Sequence, residues 1–167
     1  MTRRLAGILL AAFLFSSVSC GPGVDLATAL KVTDTFSGYY DFGIVNGLNK
    51  LVPSISFRLQ SSATVPITQV QLIVGFWQKG ADGDLDSREV TGIGSTALTP
   101  GGNTDPILVR SAAGYTIAQP RSELFTNSEF KDFTAKVFAK RAGKIVPLGE
   151  FPIEHRIIPH IDEPVRP

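Results

Sequence analysis

Three aspartates at alternate positions of one loop are the part of the sequence best suited to bind a metal ion. They are Asp82, Asp84 and Asp86. Carboxylates spaced in this way around a glycine can turn their oxygens towards one hard cation, and Ca²⁺ prefers oxygen ligands. An EF-hand loop would have glycine in place of Ser87 and glutamate in place of Ile93. Two interpretations therefore stay open, a weak calcium site and a solvated acidic turn.

Two histidines near the end of the sequence are the other candidates for metal binding. His155 falls on the apolar side of a predicted strand, and His160 stands in the closing segment with Asp162 and Glu163. Imidazole and carboxylate groups bind zinc, but a structural zinc site needs four well-placed ligands and Pro159 separates these groups. We therefore interpret His155 as a packed or hydrogen-bonded side chain, and we predict no cofactor apart from the calcium alternative.

The sequence contains no recognisable constellation for nucleophilic catalysis. The segment Gly92-Ile93-Gly94-Ser95-Thr96 has the wrong spacing for a nucleophile elbow, and no base is evident near it. We predict that the protein is not an enzyme. A pair of carboxylates that cleaves glycosidic bonds would leave no pattern in a single sequence, so that class stays open.

Large aromatic residues offer a different chemistry, which is contact with a protein or a sugar. The interface candidates are Tyr39, Tyr40, Ile73 and Trp77. Alternation along residues 69–77 assigns Phe76 to a core face and places Ile73 and Trp77 on the opposite face. These residues form a docking patch if that face is open, and they belong to the core if a second sheet or the tail covers them. Both interpretations stay open.

The overall composition excludes several classes of protein. The chain has 167 residues, of which 43% are apolar, and its 16 Lys and Arg residues balance 15 Asp and Glu residues. This apolar share is high enough to bury a core, so the chain is not a disordered one. No nucleic acid is expected as a partner, because there is no excess of cations to neutralise phosphates. A single cysteine cannot build a disulfide framework.

Residues 1–19 have the three-part layout of a secretory signal peptide. Arg3 and Arg4 give a positive start, residues 5–15 carry no charge, and the segment before Cys20 is rich in serine. A helix over residues 5–18 would reach about 21 Å, whereas the hydrocarbon core of a bilayer is about 30 Å thick. The segment is therefore short for a membrane span, and export is the better interpretation.

The end of this leader resembles the lipobox of bacterial lipoproteins at Ser19-Cys20-Gly21, although Ser17 stands where that family usually has leucine. The resemblance implies that Cys20 becomes the acylated first residue and that residues 20–27 tether a domain to a membrane. Simple cleavage after Ser19 is the alternative, and it would leave a free thiol in an oxidising compartment. The predicted location is outside the cytosol, anchored to a membrane and facing the periplasm or the cell exterior.

Hydrophobic alternation predicts that the rest of the chain is an all-β domain. The segments with an apolar residue at every second position are 54–60, 69–77 and 133–139. A hairpin is predicted from Phe133 to Ile158, with its second arm partly at a sheet edge because Pro152 cannot donate a hydrogen bond. Further strands are predicted at residues 30–36, 39–45, 88–98, 107–110 and 115–117. Only residues 122–125 and 128–133 hint at helix.

Many short strands with frequent turns and little helix predict an antiparallel immunoglobulin-like β-sandwich. Over residues 28–158 the pattern resembles the small Ig-like modules of exported bacterial proteins, without the Cys…Trp…Cys arrangement of antibody domains. Residues 159–167 are predicted to form a proline-rich, extended tail.

These features predict an exported, lipid-anchored, noncatalytic binding or assembly subunit of the bacterial cell envelope. Its partners would be the membrane, through Cys20, and another envelope protein, through an edge strand, the aromatic residues or the tail. The alternative is an extracytoplasmic module that binds calcium through the three loop aspartates or a glycan through its aromatic residues.

Overall fold

A computed structural model describes residues 24–159 of the protein. The predicted signal peptide at residues 1–19, the lipidation residue Cys20 and the tail residues 160–167 lie outside the described residues. The first half of the predicted tether lies outside them as well. Within residues 24–159 no helix is both long enough and apolar enough to cross a bilayer.

Residues 24–159 form nine β-strands, one turn of α-helix and one short 3₁₀ helix. The helical turn is α1 (Leu26–Ala29), and the 3₁₀ helix spans Arg121–Thr126. The strands are β1 (Leu30–Val45), β2 (Leu48–Ser61), β3 (Val70–Gln78), β4 (Asp84–Ile93), β5 (Ile107–Arg110), β6 (Tyr115–Ile117), β7 (Phe133–Arg141), β8 (Lys144–Pro152) and β9 (Ile157–Ile158). The predicted all-β class is confirmed. The helix suggested at residues 128–133 was wrong, since that segment is a turn leading into β7.

The strands form two sheets that share one core. In the first sheet the strand order is β5-β2-β1-β9, and β6 pairs with β2 nearer to the turn that follows β1. In the second sheet the order is β4-β3-β7-β8. Neighbouring strands are antiparallel, except that β9 runs parallel to β1. The described chain therefore has the two-layer, antiparallel-rich arrangement of a β-sandwich.

β1 and β2 form one long hairpin that spans the first sheet. We predicted a break at residues 37–38, but these residues continue the ladder opposite Ile55 and Ser54, so β1 is a single strand of 16 residues. The hairpin turns at Asn46 and Gly47, whose φ angles are 52° and 80°. This left-handed conformation at both turn residues matches the twist of a two-residue hairpin.

The core lies between the inner faces of the two sheets. Leu72, Val74 and Phe76 of β3 point inward, opposite Ile55 and Phe57 of β2, and all five are 0% exposed. The alternation in the sequence predicted these inward residues, because successive side chains of a strand point to opposite faces. Each such burial stabilises the fold by about 1.5–3 kcal/mol relative to exposure.

The chain changes sheet between Pro152 and Ile157. β8 ends at Pro152 on the edge of the second sheet, whereas β9 pairs with β1 in the first. The buried hydroxyl of Ser37 fixes the crossing, since it donates to the Pro152 carbonyl at 2.9 Å and accepts from the Glu154 N–H at 3.1 Å. The predicted hairpin arm was therefore wrong beyond Pro152, because the hydroxyl offers the backbone other hydrogen bonds. The edge position of Pro152 is confirmed.

Candidate interaction surface

The outer face of the first sheet carries three aromatic rings that each lie against a cation. The pairs are Phe36 with Arg156, Tyr40 with Arg110, and Phe42 with Lys50. The distances from the guanidinium carbon or ammonium nitrogen to the ring centroid are 4.6, 3.7 and 4.9 Å, respectively. We call this surface, together with Leu108, the aromatic–cation face. Each pair contributes about 0.5–1 kcal/mol where it is exposed to solvent.

Strand alternation places the three rings on the outer side of β1. Phe36, Tyr40 and Phe42 are separated by even numbers of residues, whereas Ser37 and Tyr39 point to the interior. The cations come from β2, from β5 and from the segment before β9. The β1–β2 hairpin and two segments that are distant from it in the sequence therefore assemble this face.

Apolar side chains of the aromatic–cation face remain open to solvent. Phe36, Phe42 and Leu108 are 48%, 49% and 50% exposed. Phe36 and Leu108 lie in one row across three strands, because Ser56 of β2 pairs with both. Tyr40 is buried, and the Arg110 guanidinium lies on its ring. Exposed apolar side chains grouped beside arginine are typical of binding surfaces.

The aromatic–cation face carries a net positive charge. Arg58 of β2 has an acidic partner, because its guanidinium lies 3.7 Å from the Asp34 carboxylate. Among the described residues no carboxylate lies within ion-pair distance of Lys50, Arg110 or Arg156. The surface is therefore complementary to an acidic partner.

The four residues predicted for an interface lie in three different environments. Tyr39 is fully buried in the core, and Tyr40 belongs to the aromatic–cation face but is covered. Ile73 and Trp77 lie half-buried on the outer face of the second sheet, where the Lys136 ammonium is 4.6 Å from the Trp77 ring centroid. The interpretation as one common patch is corrected, because β1 and β3 belong to different sheets.

Sequence analysis missed Phe36, Phe42 and Leu108 as surface residues. The even spacing of Phe36, Tyr40 and Phe42 is a usable signal, but it requires β1 to be one strand. Leu108 joins the face only through its pairing with Ser56, and no local pattern specifies that register.

Tyr39 lies at the centre of a cluster of rings at one end of the core. Its ring centroid is 5.5 Å from those of Phe125 and Phe130 and 6.4 Å from that of Phe133. Its hydroxyl has no hydrogen-bond partner among the described residues, and the Phe133 backbone approaches it without meeting hydrogen-bond geometry. Burial raises the pKa of Tyr39, and the nearby Tyr115 acts in the same direction.

We expect Tyr39→Phe to raise the free energy of unfolding by about 1 kcal/mol, because it removes a buried hydroxyl without a partner. Above about pH 10 the unfolded chain loses the tyrosine proton while the folded chain keeps it, so stability falls as the pH rises. The variant should lose less stability than the wild type over this range. Urea unfolding at neutral and alkaline pH measures both effects.

Tyr115→Phe is the matched control for this prediction. The Tyr115 hydroxyl accepts from the Lys131 N–H at 2.7 Å and donates to the Lys131 carbonyl at 2.8 Å. Its removal should lower the free energy of unfolding by at least about 1 kcal/mol, since these two hydrogen bonds and a third, donated by Gln78 Nε2 at 3.2 Å, are lost. A Tyr39→Phe variant as destabilised as Tyr115→Phe would contradict the unsatisfied state of the Tyr39 hydroxyl.

The three aspartates of the predicted calcium loop point to different partners. The Asp86 carboxylate accepts from the Ala112 N–H at 2.7 Å and the Ser111 hydroxyl at 3.1 Å, and the Arg88 guanidinium lies 3.1 Å away. Asp84 lies in β4 opposite Trp77, and Asp82 is exposed in the preceding turn. Within residues 24–159 no three acidic, histidine or cysteine side chains are grouped as metal ligands. Asp86 therefore links β4 to the loop between β5 and β6.

His155 is hydrogen-bonded, as predicted, but its side chain is 53% exposed and lies outside any strand instead of on the buried side of one. Its Nε2 atom lies 2.7 Å from Oδ1 of Asp132, and its ring stacks on Phe125 with centroids 5.2 Å apart. Asp132 also lies 3.9 Å from the Lys79 ammonium, at a shallow cavity of about 570 Å³. Sequence analysis missed Asp132 because it is 23 residues away on another element. Within the described chain Asp132 is the only hydrogen-bond partner of the His155 side chain.

Comparison of the chain with models of known protein families gave no match, and comparison with curated proteins gave none either.

Proposed function

We propose that this protein is an exported, lipid-anchored, noncatalytic assembly subunit of the bacterial cell envelope, and that it binds another envelope protein through the aromatic–cation face. The observation that carries the proposal is the row of Phe36 and Leu108, each about half exposed, beside cations that have no acidic partner in the described residues. The signal-like leader and Cys20 support the anchored location.

The side chains of the aromatic–cation face indicate which groups its partner should present. Aromatic and arginine side chains dominate the binding energy of protein interfaces, because they lose large areas of solvent contact on docking. Phe36, Phe42 and Leu108 supply the apolar area, and Lys50 and Arg156 supply charge beside it. The partner should therefore present apolar side chains next to carboxylates.

The strand pairing beneath the aromatic–cation face supports binding without rearrangement of its side chains. Phe36, Leu108 and Tyr40 stand on paired strands rather than on loops, so their separation is fixed by the backbone ladder. Arg110 holds the Tyr40 ring by stacking, and Arg156 lies over Phe36 in the same way. Side chains that are ordered before binding lose less entropy when a partner docks.

The test is affinity purification of the full-length chain from detergent-solubilised membranes. We expect a specific co-purifying protein with the wild type, and at least about a tenfold loss of it with Phe36→Ala combined with Leu108→Ala. The matched control combines Val65→Ala with Leu85→Ala, which are 48% and 43% exposed elsewhere on the surface. The control should retain the partner, since it removes similar apolar area outside the face.

A co-purifying protein counts as the partner only if its purified form binds the wild type and the control variant with similar affinity and binds the Phe36→Ala, Leu108→Ala variant more weakly. Identical sets of proteins with all three chains would contradict the proposal, as would a wild type that purifies alone. Mass analysis of the N-terminal peptide from the same preparation tests the anchor, because an acylated Cys20 adds the mass of its acyl groups.

A further inference from the structure

A groove of about 530 Å³ lies where the described chain begins, at the end of the domain nearest to the predicted tether. Its walls combine apolar side chains with two cations. The lining residues include Val24, Leu26, Pro66, Val146, Arg141 and Lys144. The groove is thus amphipathic, with aliphatic surface beside positive charge.

The two cations of this groove are held next to each other without an acidic partner. Arg141 and Lys144 flank the turn between β7 and β8 and are directly opposite in the ladder. Like charges directly opposite in an antiparallel pair destabilise it. Among the described residues neither side chain forms an ion pair. An anion placed between them would remove this repulsion.

The acidic residue that lines the groove already has partners. The carboxylate of Asp25 accepts from the Ala27 N–H at 3.2 Å and lies 3.4 Å from the Thr28 hydroxyl, so it caps α1. It therefore offsets the charge of Arg141 and Lys144 only in part.

The position of the groove identifies the source of the anion. Val24 lines it, and Cys20 is four residues earlier, so the chain between them spans at most about 14 Å. An acyl chain on Cys20 would therefore keep the groove close to lipid headgroups. We propose that this groove binds the phosphate of anionic phospholipids in the membrane that holds the anchor. This inference rests on the lipid anchor of the proposed function.

The energetics favour such contact. A lysine or arginine near an anionic bilayer surface contributes about 1 kcal/mol, which is about fivefold in affinity, and the contribution falls with added salt. The aliphatic walls allow the groove to rest against the boundary between headgroups and acyl chains. The groove would orient the domain, with the turn between β7 and β8 facing the membrane.

The test uses residues 21–167, which include every described residue but begin after Cys20, so that binding cannot come from an acyl chain. We expect this chain to sediment with vesicles of phosphatidylglycerol and phosphatidylcholine, and much less with phosphatidylcholine alone. Arg141→Glu combined with Lys144→Glu should weaken binding to the anionic vesicles by about tenfold or more. Inorganic phosphate at equal concentration should not compete, since the bilayer supplies the aliphatic contact.

The matched control combines Lys79→Glu with Lys131→Glu, two exposed lysines at the opposite end of β7 from the groove. It should bind anionic vesicles within about twofold of the wild type, because the same change in net charge falls away from the membrane. Equal losses in both double variants, or equal binding to both kinds of vesicle, would overturn the inference. Competition by inorganic phosphate would also overturn the inference, because it would show that the groove binds free phosphate without the lipid.

Two further measurements keep the outcomes distinct. If Arg141→Glu with Lys144→Glu does not fold by circular dichroism, Arg141→Gln with Lys144→Gln replaces it. If Cys20 is acylated in the full chain but residues 21–167 bind anionic and neutral vesicles equally, the inference about the groove is refuted and the proposed function stands. Selective vesicle binding without acylation would refute the anchor and leave the groove standing.

Discussion

Gly114→Ala is expected to destabilise the protein by about 3 kcal/mol or more, out of the 5–15 kcal/mol typical of a domain. A Cβ atom at this position would lie 2.3 Å from the Leu51 carbonyl oxygen and 2.8 Å from the Cα of Val52. Both neighbours belong to β2 and are 0% exposed. The clash is with backbone in the middle of the first sheet, so the side chains alone cannot relieve it.

Gly94→Ala is the control for this prediction, because nothing lies within 4 Å of the Cβ atom it would add. It should leave stability unchanged or raise it by up to about 1 kcal/mol, since alanine restricts the unfolded chain. Chemical denaturation of both variants measures the difference. If Gly114→Ala unfolds at the same urea concentration as Gly94→Ala, the loop before β6 does not pack on β2 as described.

Phe57→Ala is expected to cost about 3–5 kcal/mol, because it opens a cavity in a core that cannot collapse around it. Phe57 is 0% exposed and pairs with Ile107 of β5, next to the inner face of the second sheet. Thermal and urea unfolding should both show the loss, and the urea dependence should keep its slope if the unfolded state is unchanged.

Phe36→Ala provides the comparison for Phe57→Ala, with the same chemical change one strand away. Phe36 is 48% exposed, so its loss should cost no more than about 1 kcal/mol, mainly the contact with Arg156. This small cost also matters for the binding experiment. Because the Phe36→Ala chain stays folded, a loss of binding is due to the altered surface and not to unfolding. Similar losses for the two variants would contradict the assignment of inner and outer faces in the first sheet.

The sequence predicted well those parts of the fold in which one strand has one covered face. Alternation in β3 and β7 identified Val74, Phe76 and Val137 as inward residues, and the structure buries all three completely. It also indicated that β3 is central, because Ile73 and Trp77 make its outer face partly apolar. In these strands the local alternation agrees with the packing of the whole domain, so a window of a few residues is enough to predict which side chains are buried.

The parts that were missed depend on contacts between distant segments. Ser37 and Gly38 looked like a break, yet Ser37 is the residue whose hydroxyl directs the chain from β8 towards β9. The pair of His155 and Asp132 joins two loops, and the row of Phe36 and Leu108 depends on strand register. Such pairings follow from topology, and no periodicity within one segment encodes them.

The unbroken β1 has a mechanical consequence. A pull on the chain at Val24 is directed through α1 into β1 and along the strand axis, parallel to β2. The hydrogen bonds between these strands lie across that axis, so within each of the three paired stretches that the register shifts at residues 34–35 and 42 separate, the bonds share the load. The pairing of β1 with β2 therefore resists a force that is applied at Val24 along the strand axis.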